Sequence, residues 1–432
     1  MKANKLARFI LRIAVLLILI ASISIPGIAV SQDEKKVLLN CTPATTPGDQ
    51  TREQSAIEAS QKLFDAFRDE YWSYIEEKQI TPPDTYLVSS LPGEAYPSYY
   101  AGAYINQNHD LVIMLTDTRK STINKIDSTI CAERVTYRKA QYSYSCLIEC
   151  MDNLMQHFKN ANDSIIRYAY IDDFSNRVIV GLIDSSDSTK QALTSIITDV
   201  GCIKCIVCED PVQIKEESSY THRTQFWGYH VSTSSLSEYS YAVTATRNNV
   251  PGFITAGHAA YTGETSYTNV GNQTYTIGAC TASYNGVYTD SAFVQTNTGV
   301  NLQSSLPTFN GTLNLSTNIA IVVPGSTVYF TAFSTQHAFG TVITSSYMLT
   351  LGNDVYFADM IISNYGSTGG DSGGLVYTSN STTAYPVAIH KGEISTGYLD
   401  GSGVNYSGYP GPYKICSKMS YALSALSATI TN

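Results

Sequence analysis

Gly370-Asp371-Ser372-Gly373-Gly374 sets one serine among glycines, just after Gly366-Ser367-Thr368-Gly369 and just before the apolar run Leu375–Thr378. Glycines let a backbone turn sharply and aim successive N–H groups into one space. Such groups can stabilise a developing oxyanion if nothing bulky blocks the approach. Upstream, Thr255-Ala256-Gly257-His258 ends an apolar run that starts at Gly252, which puts His258 at a strand terminus. A serine hydroxyl is a weak nucleophile at neutral pH and needs a base such as histidine, itself oriented by a carboxylate. Between His258 and Ser372 the acids are Glu264, Asp290, Asp354, Asp359 and Asp371. Asp290 opens the strand-like run Ser291-Ala292-Phe293-Val294, which would withdraw its carboxylate from bulk water and hold it firmly, so it is the preferred partner of His258.

The surroundings of this constellation are poor in charge. Residues 221–432 hold 5 basic and 8 acidic side chains, whereas residues 1–220 hold 22 and 28. In the charge-poor half, short runs rich in β-branched and aromatic residues alternate with Gly, Asn and Ser turns. They are Tyr239–Thr246, Gly252–Ala256, Ser291–Val294, Ile319–Val323, Thr327–Ala332, Gly340–Ser345, Val355–Ile362 and Leu375–Thr378. Such a series predicts an all-β barrel or sandwich, with a helix only at Ser417–Ser427. Cys280 and Cys416 are the two cysteines of this half, and an exported chain could pair them in a disulfide bond.

The first half reads as α+β. Ile57, Leu63, Phe64, Phe67, Tyr71, Tyr74 and Ile75 mark one face of a helix between Thr51 and Ile80, and a second helix is expected over Tyr142–Phe158. Strand-like runs cover Tyr104–Thr116 and Ile166–Leu182. His109 and His157 stand alone here and are expected to be surface or core histidines. Cys202, Cys205 and Cys208 are spaced CxxCxxC, and Cys146 and Cys150 lie four apart. Thiolates so spaced can converge on one ion, but no nearby histidine or fourth cysteine completes a site, so ordinary thiols or disulfides are expected and no metal.

At the N-terminus Lys2, Lys5, Arg8 and Arg12 precede the uncharged run Ile13–Ser31, giving the basic and apolar regions of an export signal. A cleaved signal peptide is preferred over a retained membrane anchor, although the run approaches the roughly 18–20 residues that span a bilayer. The chain is therefore expected outside the cytoplasm, secreted or, if the segment is kept, anchored and facing outward. A net charge of −9 over 432 residues speaks against non-specific nucleic-acid binding as the main function. The length leaves room for about two domains of roughly 100–200 residues.

The order TAGH, then Asp-Ser-Ala-Phe-Val, then GDSGG resembles the chymotrypsin-like serine peptidases, most closely the bacterial streptogrisin and α-lytic group. The resemblance extends over the whole second body. It implies two six-stranded antiparallel β-barrels with the active site between them, and no cofactor. It implies roles for His258 as general base, Asp290 as orienting carboxylate and Ser372 as nucleophile, with the N–H groups of Gly370 and Ser372 as oxyanion hole. Members of that group are made with an N-terminal prosegment that assists folding and inhibits the enzyme, and Tyr100–Ile105 with Asp110–Leu115 looks like part of one. The organisation then reads as signal 1–31, prosegment 32–217 and peptidase 218–432.

His390 is similar in position to the histidine by which glutamyl endopeptidases and several viral relatives recognise Glu or Gln at P1, the alternative being a structural histidine. The junction Lys215-Glu216-Glu217-Ser218 would suit self-cleavage after Glu217. The chain also departs from the group. It lacks the cysteine beside the catalytic histidine and that cysteine's partner. Lys391 replaces a serine that often supports the triad carboxylate, which puts that support in doubt. No Lys or Arg occurs in residues 301–390 to accompany Asp371, leaving Arg223, Arg247, Lys391 or a new N-terminal amine. His222, His230 and His337 are read as surface or packing residues. Sequons at Asn272, Asn310, Asn314, Asn380 and Asn405 permit glycosylation. The expected partners are polypeptide substrates and the protein's own prosegment. From a different class, the chain could be a catalytically inactive cell-surface binding or structural β-protein that keeps a peptidase fold.

Overall fold

Thr289–Thr296 is buried along nearly its whole length, the pattern of a strand flanked on both edges and covered on both faces. Around it and its counterpart Ala338–Thr350 the rest of the chain is assembled. The computed structural model describes residues 47–78, 91–131, 134–160, 165–197, 200–207, 214–216, 231–233, 238–270, 273–308, 311–350, 356–394 and 413–431. The expected export segment, Arg223, His222, His230, Cys208 and the residues around 217–218 lie outside them.

The N-terminal body runs α1 (Pro47–Lys78), β1 (Tyr100–Ile105), β2 (Leu111–Leu115), α2 (Lys120–Ile130), β3 (Val135–Lys139), α3 (Tyr144–Asn160), β4 (Ile166–Asp172), β5 (Arg177–Leu182), α4 (Asp187–Ile196), β6 (Ile203–Val207) and β7 (Ile214–Glu216). The C-terminal body follows with β8 (Val231–Thr233), β9 (Glu238–Tyr239), β10 (Val243–Arg247), β11 (Val250–Thr255), β12 (Thr265–Val270), β13 (Gln273–Gly286), β14 (Thr289–Thr296), β15 (Ser305–Thr308) and β16 (Gly311–Leu315). It ends with β17 (Thr327–Thr331), β18 (Ala338–Thr350), β19 (Tyr356–Ser363), β20 (Leu375–Ser379), β21 (Thr383–Ile394), β22 (Tyr413–Lys418), α5 (Met419–Leu426) and β23 (Ala428–Ile430).

In the first body β1, β2 and β3 form one sheet. β2 and β3 are parallel, so the chain must cross over between them, and α2 makes the crossover. Leu63, Phe67, Tyr71 and Ile75 of α1 pack on Ile105, Leu111, Ile113 and Leu115 of the sheet, as the spacing anticipated, whereas Tyr74, expected on the same face, is exposed. Behind it, Leu147, Met151 and Leu154 of α3 cover the β4–β5 hairpin.

In the second body eight strands follow the order β23-β10-β11-β14-β13-β12-β8-β9. Their core contains Val243, Phe253, Ile254, Ile277, Phe293 and Val294, closed at one side by Met419, Ala422 and Leu426 of α5. The other sheet has twelve strands. Within it β17, β18, β19, β22, β21 and β20 form a closed cycle of antiparallel pairings. One ring of six strands is thus present, whereas the first sheet carries eight, and β23 and β9 at its ends are not paired with each other among the described residues. The further strands of the large sheet include β4, β5, β6 and β7 of the N-terminal body. β4 lies antiparallel to β18, with Tyr170 opposite Tyr347, and the rings of Tyr168, Tyr170 and Tyr347 stack about their centroids at 5.9–6.3 Å.

Two expectations fail. Ile319–Val323 is not a strand. Its apolar residues are instead pinned as an extended loop, with Ala320 N–H donating to the carbonyl of Pro386 and Ile321 N–H to Gln61 of α1. Cys280 and Cys416 are not joined in a disulfide bond, because one is buried in the core of the first sheet and the other in the core of the six-strand ring. Among the described residues no group of His, Cys, Asp or Glu is arranged to hold a metal ion; Cys202 is buried and Cys205 exposed.

Candidate active site

The seam between the two sheets brings together residues 82 or more positions apart from Ser372. β11 delivers His258 just past its C-terminal end, β14 carries Asp290 near its start, and Ser372 precedes β20. Asp290 Oδ1 accepts the backbone N–H of His258 at 2.8 Å, and Oδ2 lies 2.5 Å from Nδ1 of the same histidine. The opposite ring nitrogen, Nε2, is 2.9 Å from Ser372 Oγ. One carboxylate therefore fixes both the main chain and the ring of His258, leaving Nε2 aimed at the hydroxyl. That geometry lets His258 take the Ser372 proton while Asp290 balances the resulting imidazolium.

All three side chains are buried. Burial alone would raise the pKa of Asp290. The charges of His258 and Lys391, with the hydrogen bonds from His258, outweigh it and hold the carboxyl well below its ordinary range. The N–H of Asp290 donates to Ser417 Oγ at 2.8 Å. The doubt over carboxylate support resolves in an unexpected way: Lys391 Nζ sits 3.2 Å from Asp290 Oδ2 in a salt bridge with both side chains buried. Lys391 is thus committed to Asp290 and does not serve Asp371.

The glycines shape the serine's loop. Gly370 and Gly373 have φ of 92° and 87°, a region that favours glycine. A Cβ on Gly373 would also collide with Thr255 Oγ1 and the carbonyl of Ser240. Ser240 braces the turn: its N–H donates to the carbonyl of Ser372 and its hydroxyl to the carbonyl of Gly370, while the hydroxyl accepts Phe333 N–H. The N–H groups of Gly370 and Ser372, the sequence-predicted oxyanion donors, stand on either side of Asp371. Neither makes a hydrogen bond with another described residue.

Asp371 has a partner set that the sequence reading missed. Among the described residues it accepts backbone N–H groups of Ser334 and Thr335 on Oδ1 and of Thr368 on Oδ2. Arg247 instead donates to the carbonyl of Leu426. Burial pushes the Asp371 carboxyl up, with the hydrogen bonds from Thr335 and Thr368 pulling against it. No charge pattern could signal this, since the partners are main-chain groups.

His390 is fully buried on β21, with Nδ1 2.8 Å from Tyr365 Oη. The same hydroxyl is 3.0 Å from Cys416 Sγ, and the Phe330 ring lies 5.0 Å from the imidazole, centroid to centroid. Its neighbour Lys391 offers its carbonyl to Ser372 Oγ at 3.3 Å. His390 is therefore one residue away from the serine's own contacts, on the same strand. Tyr365 and Cys416 carry no sequence signal linking them to His390; only the cross-strand register of His390 with Cys416 reveals it. Outside this region His109 is buried, 3.4 Å from Glu53 of α1, and His337 is partly buried.

Comparison with known proteins gives the following. The family described as a Pro-like N-terminal domain matches residues 46–140. Among curated proteins no sequence match was found. Solved structures similar to the chain include a glutamic acid-specific serine protease described as using a histidine triad in substrate binding, at 23% identity and TM-score 0.38, covering 47% of this chain and 98% of that one. A chymotrypsin of Cellulomonas bogoriensis shares 23% identity with TM-score 0.36, over 47% of this chain and 96% of its own. A Nocardiopsis protease shares 20% with TM-score 0.37, over 48% and 97%. The structural neighbours of this chain are serine proteases, and its residues 46–140 are similar to a Pro-like N-terminal domain.

Proposed function

We propose that the protein is a secreted serine endopeptidase made as a proenzyme, in which Ser372 attacks the peptide carbonyl. His258 takes the serine proton and returns it to the leaving amine, Asp290 orients His258, and the N–H groups of Gly370 and Ser372 receive the oxyanion. The continuous contact Asp290–His258–Ser372 carries this reading, since each distance falls within hydrogen-bond reach. The acyl-enzyme formed on Ser372 is then released by water activated in the same way. No step calls for a cofactor.

Residues 32–217 act as the prosegment, and maturation follows cleavage after Glu217. β7 lies antiparallel to the end of β21, with Lys215 opposite Glu393 and Glu216 opposite Gly392. An extended chain bound as an added strand is a recurrent way to hold a peptide. Two residues beyond Lys215 stands Glu217, and two residues before Glu393 stands Lys391, whose carbonyl contacts the nucleophile. In this reading Glu217–Ser218 is the bond that Ser372 cleaves, and His390 is the group that recognises the glutamate. An imidazole can donate to a side-chain oxygen and, when protonated, neutralise a carboxylate.

A fluorophosphonate probe tests the activity. The matured protein is expected to label, and Ser372→Ala to remain unlabelled and unprocessed. Absence of labelling of matured wild-type protein, beside a serine peptidase that labels in parallel, would leave an inactive binding protein as the reading. N-terminal sequencing tests the junction, with Ser218 expected first; an N-terminus far from Ser218 made equally by Ser372→Ala protein excludes self-cleavage there.

A further inference from the structure

We propose that Lys391 is a positioning residue of the triad, holding Asp290 through a buried ammonium group and extending the enzyme's working range toward acid. This rests on the peptidase reading above. Lys391 sits on β21 with its side chain 1% exposed. Its Nζ is 3.2 Å from Asp290 Oδ2, 3.4 Å from Asn285 Oδ1 on β13 and 4.6 Å from the centre of the Phe357 ring on β19. A carboxylate, an amide oxygen and an aromatic face are all favourable surroundings for a cation removed from water. With them the ammonium group clamps the same oxygen that faces His258 Nδ1.

The charge balance separates this arrangement from one built on a hydroxyl. With Asp290 ionised, Lys391 charged and His258 neutral, the cluster sums to zero. Moving a proton onto His258 takes it to +1. With a hydroxyl in place of the ammonium group, the same step would run from −1 to zero. Lysine therefore disfavours unproductive protonation of the base from solvent, and the base stays competent at lower pH. Other charges in reach are already committed. Glu393, two residues along β21, is paired with Lys414 of β22 at 2.9 Å. Asp359 of β19 is paired with Lys418 at 2.7 Å. Asp371 is bound by backbone N–H groups. Among the described residues, Lys391 is the cationic side chain that contacts the Asp290 carboxylate beside His258.

The test compares matured wild-type protein with Lys391→Met, Lys391→Ser and Lys391→Arg, each expressed as the full chain and, where needed, processed by wild-type enzyme added in trans. The rate of fluorophosphonate labelling of Ser372 is measured from pH 4 to pH 9. In Lys391→Met and Lys391→Ser the acid limb is expected to move to higher pH by about one unit, the scale of one neighbouring charge, while Lys391→Arg keeps it near the wild-type position. A neutral variant whose profile is lowered uniformly with an unmoved acid limb overturns the proposal. So does failure of both neutral variants to fold while Lys391→Arg folds, which would make the lysine structural. If wild-type protein itself shows no Ser372-dependent labelling, the peptidase reading fails, and the Lys391 proposal falls with it.

Discussion

Ser240 shows how much of the site depends on residues that take no part in the chemistry. Its hydroxyl and N–H tie the carbonyls of Gly370 and Ser372 to the opposite sheet, so the two proposed oxyanion donors are held by one buried serine. Ser240→Ala leaves the Phe333 N–H and the Gly370 carbonyl without that partner. The expected cost is about 1–3 kcal/mol, the scale of buried polar groups left unsatisfied. Urea denaturation of Ser372→Ala protein with and without the second change measures it, and a difference near zero would mean water replaces the hydroxyl. Gly373 has less latitude, since a side chain there would strike Thr255 and Ser240. Gly373→Ala is expected to prevent folding of the loop rather than to slow it.

At the scale of elements, a carboxylate of α1 joins Gln61 in fastening the helix to the second body. Glu53 accepts both the N–H and the hydroxyl of Thr327 at the start of β17, and on its other side meets His109. The hydrogen bond from His109 to the Glu53 carboxylate raises the pKa of His109, against burial. A histidine whose pKa is raised by folding contributes stability that is fully present below its unfolded value, about 6.5, and lost as pH rises through the folded value. The clasp should therefore weaken toward alkaline pH. Hydrogen-exchange protection factors of α1 and of Tyr100–Leu115 in full-length Ser372→Ala protein, which remove the intrinsic pH dependence of exchange, should be lower at pH 9 than at pH 6. His109 adopts φ of 60°, so asparagine, which tolerates that conformation, is the fitting replacement. The pH difference should largely vanish in His109→Asn; its persistence would assign the effect elsewhere.

The molecule as a whole is one in which the N-terminal body completes the second sheet. β4 covers the free edge of β18 and β7 that of β21, and exposed edges of this kind otherwise invite wrong pairing. The pairings that close the six-strand ring join residues far apart in sequence, and such topologies fold slowly because loop-closure entropy comes first. Residues 218–432 alone are expected to refold with yields several-fold lower than when residues 32–217 are supplied in trans, measured by recovered fluorophosphonate labelling. Tyr347→Ala, which removes the second body's ring from the tyrosine cluster with Tyr168 and Tyr170, should weaken that rescue. Equal yields with and without the N-terminal body would show that it is no folding template.

By itself the sequence determined the triad candidates, the division in charge density near residue 220 and most of the strands around the site. Each is a local signal: a glycine-framed serine, a histidine ending an apolar run, an aspartate opening another. Ile319–Val323 misled because apolar composition cannot tell a strand from a loop pinned by another body. The tertiary structure alone decided that Lys391 serves Asp290, that Asp371 is satisfied by three N–H groups and that Tyr365 and Cys416 line up behind His390. Those partnerships depend on which strands lie side by side. A sequence encodes such register only through packing between residues tens to hundreds of positions apart, so it could supply the acids and bases but not the pairs.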